Sequence, residues 1–211
     1  MPKYDRIIFD SMIKALRDAG MLPVKPLMDF GIKSGTALDI GCGPGVVGLE
    51  WLRQSGADSL VGIDYDCEML GLAETNRCRY CTKNGVDQNK VKFERADACA
   101  LPFEDEIFDA VFSFNVLHEV SDPVCMLNEA YRVTKRGGLF CIRDLHSGGD
   151  WTSLEWASKL PGIDEFRPVV RDCLSDAFTR EAFLELVDKS LMRSAEKIIR
   201  PMLLCVQGSK S

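Results

Sequence analysis

Short apolar runs alternate along the chain with longer segments in which apolar residues recur at helical spacing. Five runs have the length and composition of buried strands, and they cover residues 36–40, 60–63, 91–95, 110–114 and 139–143. Helical patterns lie between most of them, over about 45–54, 67–83 and 123–134. Because parallel strands require long crossover connections, this order predicts an α/β fold with a doubly wound, mostly parallel sheet.

The two ends of the chain depart from that alternation. Residues 5–19 are predicted to form an amphipathic helix capped by Asp5, whereas 21–34, with two prolines and a glycine, are expected to be irregular. The C-terminal part is predicted to contain a helix and two closely spaced strands, at 179–189, 194–199 and 202–207. Since two or three residues cannot hold a crossover helix, that last pair of strands must be antiparallel.

The composition narrows the class of protein. A chain of 211 residues is predicted to form one domain, 1–211, and its net charge of −6 argues against a nucleic-acid partner. There is no signal-peptide pattern and no apolar run of the ~18–20 residues that span a membrane, so we expect a cytoplasmic protein. The nine cysteines are expected to be thiols. Cys78 and Cys81 form a lone C-x-x-C pair without further ligands nearby, and no metal site is predicted.

The candidate chemistry begins where the first strand meets the first crossover helix. Residues 37–45 read Ala-Leu-Asp-Ile-Gly-Cys-Gly-Pro-Gly, and glycines at such a junction allow a tight turn and close approach of a ligand to the backbone. Asp64 ends the second strand, nineteen residues after Gly45. An acid at that place can accept hydrogen bonds from both hydroxyls of a ribose. The two features together predict a nucleotide-type cofactor.

These motifs resemble those of class I S-adenosylmethionine-dependent methyltransferases, and most closely the small-molecule branch that includes quinone-biosynthesis enzymes. Further similarity lies at 95–98, at 108–118 and at 132–138, so the resemblance is clear over about 36–144. It implies a Rossmann-like methyltransferase fold with seven strands, of which the last is antiparallel. It also implies S-adenosyl-L-methionine as cofactor, S-adenosyl-L-homocysteine as its product, and a small-molecule methyl acceptor.

The resemblance further implies cofactor roles for individual residues. Asp39 and the glycine turn would hold the methionine part, Asp64 the ribose, and Tyr65 the border of the adenine. Asp97 and Ala98 would contact the adenine edge, and Asn115 would close the methionine side. The full set of implied cofactor residues is Asp39, Gly41, Cys42, Gly43, Gly45, Asp64, Tyr65, Asp97, Ala98 and Asn115.

Two other interpretations of the same motifs stay open. Residues 43–48 fit the G-x-G-x-x-G pattern of NAD(P)-dependent oxidoreductases. Against this stands Asp39, which would put a carboxylate near a pyrophosphate. A module that binds S-adenosylmethionine without catalysis is the other alternative, because no catalytic residue is defined by the sequence.

The acceptor side is the less defined half of the predicted site. His118 follows the fourth strand, while Asp144 and His146 follow the fifth, so all three fall at the strand ends where such sheets bind ligands. They are the candidate catalytic residues. Residues 146–178 carry aromatic, glycine and arginine residues outside the core pattern and are predicted to form an acceptor lid. Residues 1–34 are predicted to form an N-terminal helical cover.

Overall fold

A computed structural model describes residues 5–148 and 162–211. Within them, the chain forms a seven-stranded sheet flanked by helices. The strands are β1 (Thr36–Ile40), β2 (Ser59–Asp64), β3 (Val91–Arg95), β4 (Phe108–Phe114), β5 (Thr134–Leu145), β6 (Glu196–Arg200) and β7 (Leu203–Ser209). The helices are α1 (Arg6–Asp18), α2 (Val24–Phe30), α3 (Val46–Gln54), α4 (Cys67–Asn84), α5 (Pro123–Val133), α6 (Ile163–Ser175) and α7 (Arg180–Lys189).

The sheet has the strand order β3-β2-β1-β4-β5-β7-β6. Strands β1 to β5 pair in parallel, and β7 runs antiparallel to both β5 and β6. The predicted doubly wound sheet with an antiparallel last strand is therefore confirmed. Because the chain order reverses between β1 and β4, the loops at their carboxyl ends diverge and leave a crevice, which is where such sheets bind ligands.

Each face of the sheet carries its own apolar layer. Leu38 and Ile40 of β1 face the layer that contains α5 and α7, while Ala37 faces the layer of α2 and α3. On the second face, Trp51 of α3 is fully buried against Phe112, with ring centroids 5.4 Å apart, and its indole donates a hydrogen bond to Ile32 O. Side chains of β1 thus pack alternately into the two layers. Because both layers are closely packed, the sheet is a rigid base for the loops at its carboxyl edge.

Two helices were not predicted from the sequence. The expectation that 21–34 is irregular was wrong, because α2 forms there. Pro26 lies in the first turn of α2, where backbone N–H groups have no intrahelical partner, and Gly31 ends the helix in the left-handed conformation at φ 113°. The other unpredicted helix is α6, whose Phe166 and Val169 are buried against Met12 of α1.

The predicted lid is described only in part. Residues 149–161 lie outside the described residues, and with them the aromatic residues Trp151 and Trp156 on which the lid hypothesis rests. In the described parts of the chain, no helix combines the length and apolar character that crossing a membrane requires.

Candidate functional site

A cavity of about 960 Å³ opens at the carboxyl ends of β1, β2 and β4, under α1. Its volume falls at the upper end of the range for ligand pockets, about 300–1,000 Å³. Nine of the ten cofactor residues implied by the sequence line it, namely Asp39, Gly41, Cys42, Gly43, Asp64, Tyr65, Asp97, Ala98 and Asn115. Gly45 is the exception, because it belongs to the turn but does not line the cavity.

At two positions of the glycine turn, no residue with a side chain can replace glycine. Gly41 has φ 68°, and a Cβ there would lie 2.3 Å from Val116 Cγ2. Gly45 has φ 73°, and a Cβ there would lie 2.5 Å from Phe93 Cζ. Both the left-handed backbone and the close contacts exclude other residues. Cys42 N–H donates to Ile63 O over 2.8 Å, which holds the turn against the end of β2.

Asp64 is held at the end of β2 by backbone groups. Its Oδ2 accepts from Gly43 N–H and its Oδ1 from Asp66 N–H, both over 2.9 Å. Burial and the charge of Asp66 raise the pKa of Asp64, while these backbone hydrogen bonds lower it, and the net effect is a raised pKa. The carboxylate is thus oriented before any ligand binds, and it keeps lone pairs available on the cavity side.

Asp39 is a buried carboxylate with an unsatisfied oxygen. The residue is 2% exposed, and its Oδ2 has no hydrogen-bond partner in the described structure. Burial raises the pKa of Asp39 well above its ordinary value, and the nearby charge of Asp64 raises it further. A buried acceptor without a donor is costly. The residue lines the cavity, so a cationic group bound there would compensate its charge.

The far end of the cavity is bordered by residues after β2 and β3. Tyr65 is 64% exposed, and its ring lies under the Arg95 guanidinium, 4.8 Å from Cζ to the ring centroid. Asp97 Oδ1 accepts from Cys99 N–H over 2.9 Å, which fixes the short turn that carries Ala98. A planar group could lie between Tyr65 and this turn.

Helix α1 is tied to the cavity rim at two points. Arg6 Nε donates to Asp66 Oδ2 over 2.5 Å. The buried Asn76 of α4 donates to Asp10 Oδ1 and to Pro44 O, over 2.9 and 2.8 Å, and so links α1 to the glycine turn. These contacts place the apolar face of α1 against the cavity, where Phe9, Met12, Ile13 and Leu16 line it.

His118 and Asp144, which sequence analysis proposed separately, form a pair. Asp144 Oδ1 lies 2.6 Å from His118 Nδ1, and its Oδ2 accepts from His118 N–H over 2.9 Å. Burial lowers the pKa of His118, but the hydrogen bond and charge of Asp144, with Glu119 and Asp176, leave it raised above its ordinary value. Because Asp144 accepts from His118, the Nδ1 atom carries a proton and Nε2 is left as the reactive nitrogen.

His146 lies apart from this pair. Its Nδ1 is 3.0 Å from Arg200 O, and the residue does not line the cavity. The two arginines of the predicted lid, Arg167 and Arg171, do not line the cavity either. Arg167 pairs with Asp164 and Arg171 with Asp172, both on the exposed side of α6.

Sequence reasoning missed several polar residues of the cavity wall, and three of them lie near the predicted acceptor side. Arg143, near the carboxyl end of β5, lies over the Phe114 ring, 6.0 Å from Cζ to the centroid, and has no ion pair among the described residues. Glu119 adjoins His118 in sequence, and Cys173 comes from the unpredicted helix α6. Burial raises the pKa of the Cys173 thiol to about 12. Only Glu119 had a sequence clue, its position beside His118.

The strand order and the glycine turn are typical of an α/β protein of the methyltransferase type, and comparisons with known proteins agree. Residues 38–142, about half of the chain, match a family described as "Methyltransferase domain". The 2-phytyl-1,4-naphtoquinone methyltransferase of Nostoc punctiforme is 36% identical over 116 residues, 54% of this chain and 48% of that protein. The demethylmenaquinone methyltransferase of Staphylococcus aureus is 31% identical over 139 residues, 65% of this chain and 53% of that protein.

Solved structures extend the likeness in fold to nearly the whole chain. A putative S-adenosylmethionine-dependent methyltransferase from Methanococcus maripaludis has a TM-score of 0.71 at 24% identity, covering 98% of this chain and 92% of that chain. A second, from Aquifex aeolicus, has a TM-score of 0.67 at 22% identity. The chain belongs to the class I S-adenosylmethionine-dependent methyltransferase family. It spans about half the length of the curated relatives it matches.

Proposed function

We propose that the protein transfers a methyl group from S-adenosylmethionine to a small-molecule acceptor bound in the cavity under α1. The observation that carries this proposal is Asp39, a buried carboxylate with an unsatisfied oxygen beside a glycine turn. The cofactor carries an ammonium and a sulfonium and no phosphate. A nicotinamide dinucleotide would bring a doubly charged pyrophosphate toward Asp39, which like-charge repulsion opposes.

The remaining walls fit the rest of that cofactor. Asp64 accepts the two ribose hydroxyls, Tyr65 borders the adenine, and Asp97 with Ala98 contacts its edge. Gly41, Cys42, Gly43 and Gly45 provide the turn under the methionine part. Asn115, at φ 57°, closes the same side, and its N–H donates to Arg143 O over 2.9 Å. The bound cofactor supplies an activated methyl group on sulfur.

The protein then has to align the acceptor with the methyl group and exclude water. The acceptor side of the cavity is apolar, and its wall includes Phe9, Met12, Phe114, Leu145 and Leu203. Arg143 is a cation within this wall. An apolar acceptor with an acidic oxygen or thiol suits this combination, because the guanidinium stabilises the charge that develops when the proton leaves.

His118 does not itself line the cavity, but its neighbour Glu119 does, and His118 is the candidate proton acceptor next to this side. Asp144 holds its ring. The raised pKa of His118 makes it a stronger base than free imidazole near neutral pH. His146 has no part in this arrangement. The nine cysteines, all free thiols, fit the reducing cytoplasm as the setting of the reaction.

Titration calorimetry with S-adenosylhomocysteine and with NAD tests the cofactor assignment. We expect heat from the first ligand alone. Asp64→Ala should weaken that binding about ten- to a hundredfold, since hydrogen bonds to a charged group contribute about 1.5–3 kcal/mol. Asp105→Ala, an exposed surface acid, is the matched control. Binding of NAD without binding of S-adenosylhomocysteine contradicts the proposal, and binding without turnover on any acceptor favours the non-catalytic module.

A further inference from the structure

Three potential metal-binding side chains converge beside the cavity from two separate parts of the chain. His118 and Glu119 come from the loop after β4, and Cys173 comes from α6. One ligand atom from each, the His118 ring nitrogen, a Glu119 oxygen and Cys173 Sγ, lie within 4.8 Å of one another. The Nε2 atom of His118 is 3.9 Å from Glu119 Oε1. Nothing in the sequence spacing indicates this set.

A second observation points to a ligand at the same place. The His118 side chain is 1% exposed, and its Nε2 is buried without a hydrogen-bond partner in the described structure. Its Nδ1 is held at 2.6 Å by Asp144, whose side chain is fully buried. In metal sites a ligating histidine is commonly oriented in this way, with its second nitrogen donating to a carboxylate. The imidazole is thus oriented with its lone pair toward Glu119 and Cys173.

We propose that His118, Glu119 and Cys173 bind a zinc ion whose fourth coordination position opens into the cavity. Nitrogen, oxygen and sulfur ligands together suit Zn²⁺, while a thiolate disfavours Mg²⁺ and Ca²⁺. Three protein ligands with one open position are the arrangement of catalytic zinc sites. With bonds of about 2.0–2.3 Å, tetrahedral ligand atoms lie about 3.3–3.8 Å apart. The ligand atoms, now up to 4.8 Å apart, must therefore approach one another by about 1 Å when the ion binds. The long, exposed side chain of Glu119 allows this movement.

The open position faces the cavity because Glu119 and Cys173 line it. The role of the ion in catalysis rests on the proposed methyl transfer, whereas the affinity of the three side chains for metal does not. The acceptor's hydroxyl or thiol binds the ion and releases its proton to solvent. A lone pair of that oxygen or sulfur then forms the bond to the methyl carbon, while the carbon–sulfonium bond breaks and its electron pair stays on the cofactor sulfur. With the ion bound, His118 is a ligand instead of a proton acceptor.

Cobalt titration of the chelator-treated full chain tests the site. Co²⁺ should produce a thiolate charge-transfer band in the near ultraviolet and tetrahedral bands in the visible, and added Zn²⁺ should abolish both. Cys173→Ala should lose the charge-transfer band. His118→Gln should weaken Co²⁺ binding at least about tenfold, and Asp144→Asn about 10–100-fold through the lost orientation of the ring.

The double variant Cys78→Ala/Cys81→Ala is the matched control, because it removes the C-x-x-C pair on α4 and leaves the proposed site intact. It should keep the full cobalt spectrum. Circular dichroism and binding of S-adenosylhomocysteine establish that each variant is folded. The proposal is overturned if the wild type gives no thiolate band, or if the band survives Cys173→Ala and disappears in the double variant. A cobalt site in a protein that does not bind S-adenosylhomocysteine would support the zinc proposal and refute the proposed function.

Discussion

The unsatisfied carboxylate of Asp39 should make the ligand-free protein less stable than it could be. Replacing it with asparagine removes the charge and keeps the shape. A buried ion without a partner costs several kcal/mol, whereas a buried neutral polar group without a partner costs about 1–3 kcal/mol. Asp39→Asn should therefore raise the free energy of unfolding by about 1–3 kcal/mol at neutral pH. Each kcal/mol corresponds to about 2–4 °C in Tm for a chain of this size.

The sign of the pH dependence follows from the raised pKa of Asp39. Between its ordinary value of 3.8 and its raised value, the folded protein holds a proton that the unfolded chain has released, so stability falls as pH rises through that window. At pH values above the raised pKa, the full energetic cost of the buried charge remains. The advantage of Asp39→Asn should accordingly be absent below about pH 4 and complete above the raised pKa. The same variant should bind S-adenosylhomocysteine about ten- to a hundredfold more weakly, because the ammonium loses a charged acceptor.

Thermal unfolding at several pH values, with and without S-adenosylhomocysteine, measures both effects. Asp109→Asn is the matched control. Asp109 lies at the opposite edge of the sheet, and despite its partial burial its pKa is lowered by hydrogen bonds from Lys135 and from Thr36 N–H. That variant should be destabilised at neutral pH, not stabilised. If Asp39→Asn lowers Tm at neutral pH while ligand binding is unchanged, the reasoning about a functional, unsatisfied carboxylate is wrong.

Two further predictions concern the acceptor side. The chain has two histidines, so NMR titration can assign the His118 signal by comparison with the variant His146→Gln. The pKa of His118 should lie above 6.5 and should fall in Asp144→Asn. An unchanged pKa in Asp144→Asn would refute the pairing of His118 with Asp144. If residues 146–178 form an acceptor lid, their amide hydrogens should exchange faster than those of the central strands in the ligand-free protein. Exchange should slow when the cofactor product and the acceptor are both present. Protection equal to that of the strands in the free protein would exclude a lid.

The sequence was most informative where local pattern and local structure coincide. The bounds of β1 and β3 follow from apolar runs between turn residues, and both agree with the structure. Asp5 caps α1 as predicted, and the helix predicted at 179–189 is α7 with Thr179 as its cap, because a cap is formed within one turn of the chain. α2 was missed because two prolines and a glycine indicated an irregular segment, although a proline in a first helical turn, such as Pro26, costs no hydrogen bond.

The parts of the site that depend on distant pairing could not be predicted. His118 and Asp144 were each identified by their place at a strand end, but their contact requires the register of β4 against β5. Cys173 reaches the cavity only because α6 packs on α1 through Phe166. The lack of a partner for Asp39 is a property of the folded environment, and no sequence motif records it.

The most direct test of the central claim is a crystal structure of the protein with S-adenosylhomocysteine. The account predicts both ribose hydroxyls within hydrogen-bonding distance of the Asp64 carboxylate and the ammonium beside Asp39. The adenine should lie between Tyr65 and the turn at Asp97. A ligand bound outside this cavity, or one whose ribose lies away from Asp64 and whose ammonium lies away from Asp39, would contradict it.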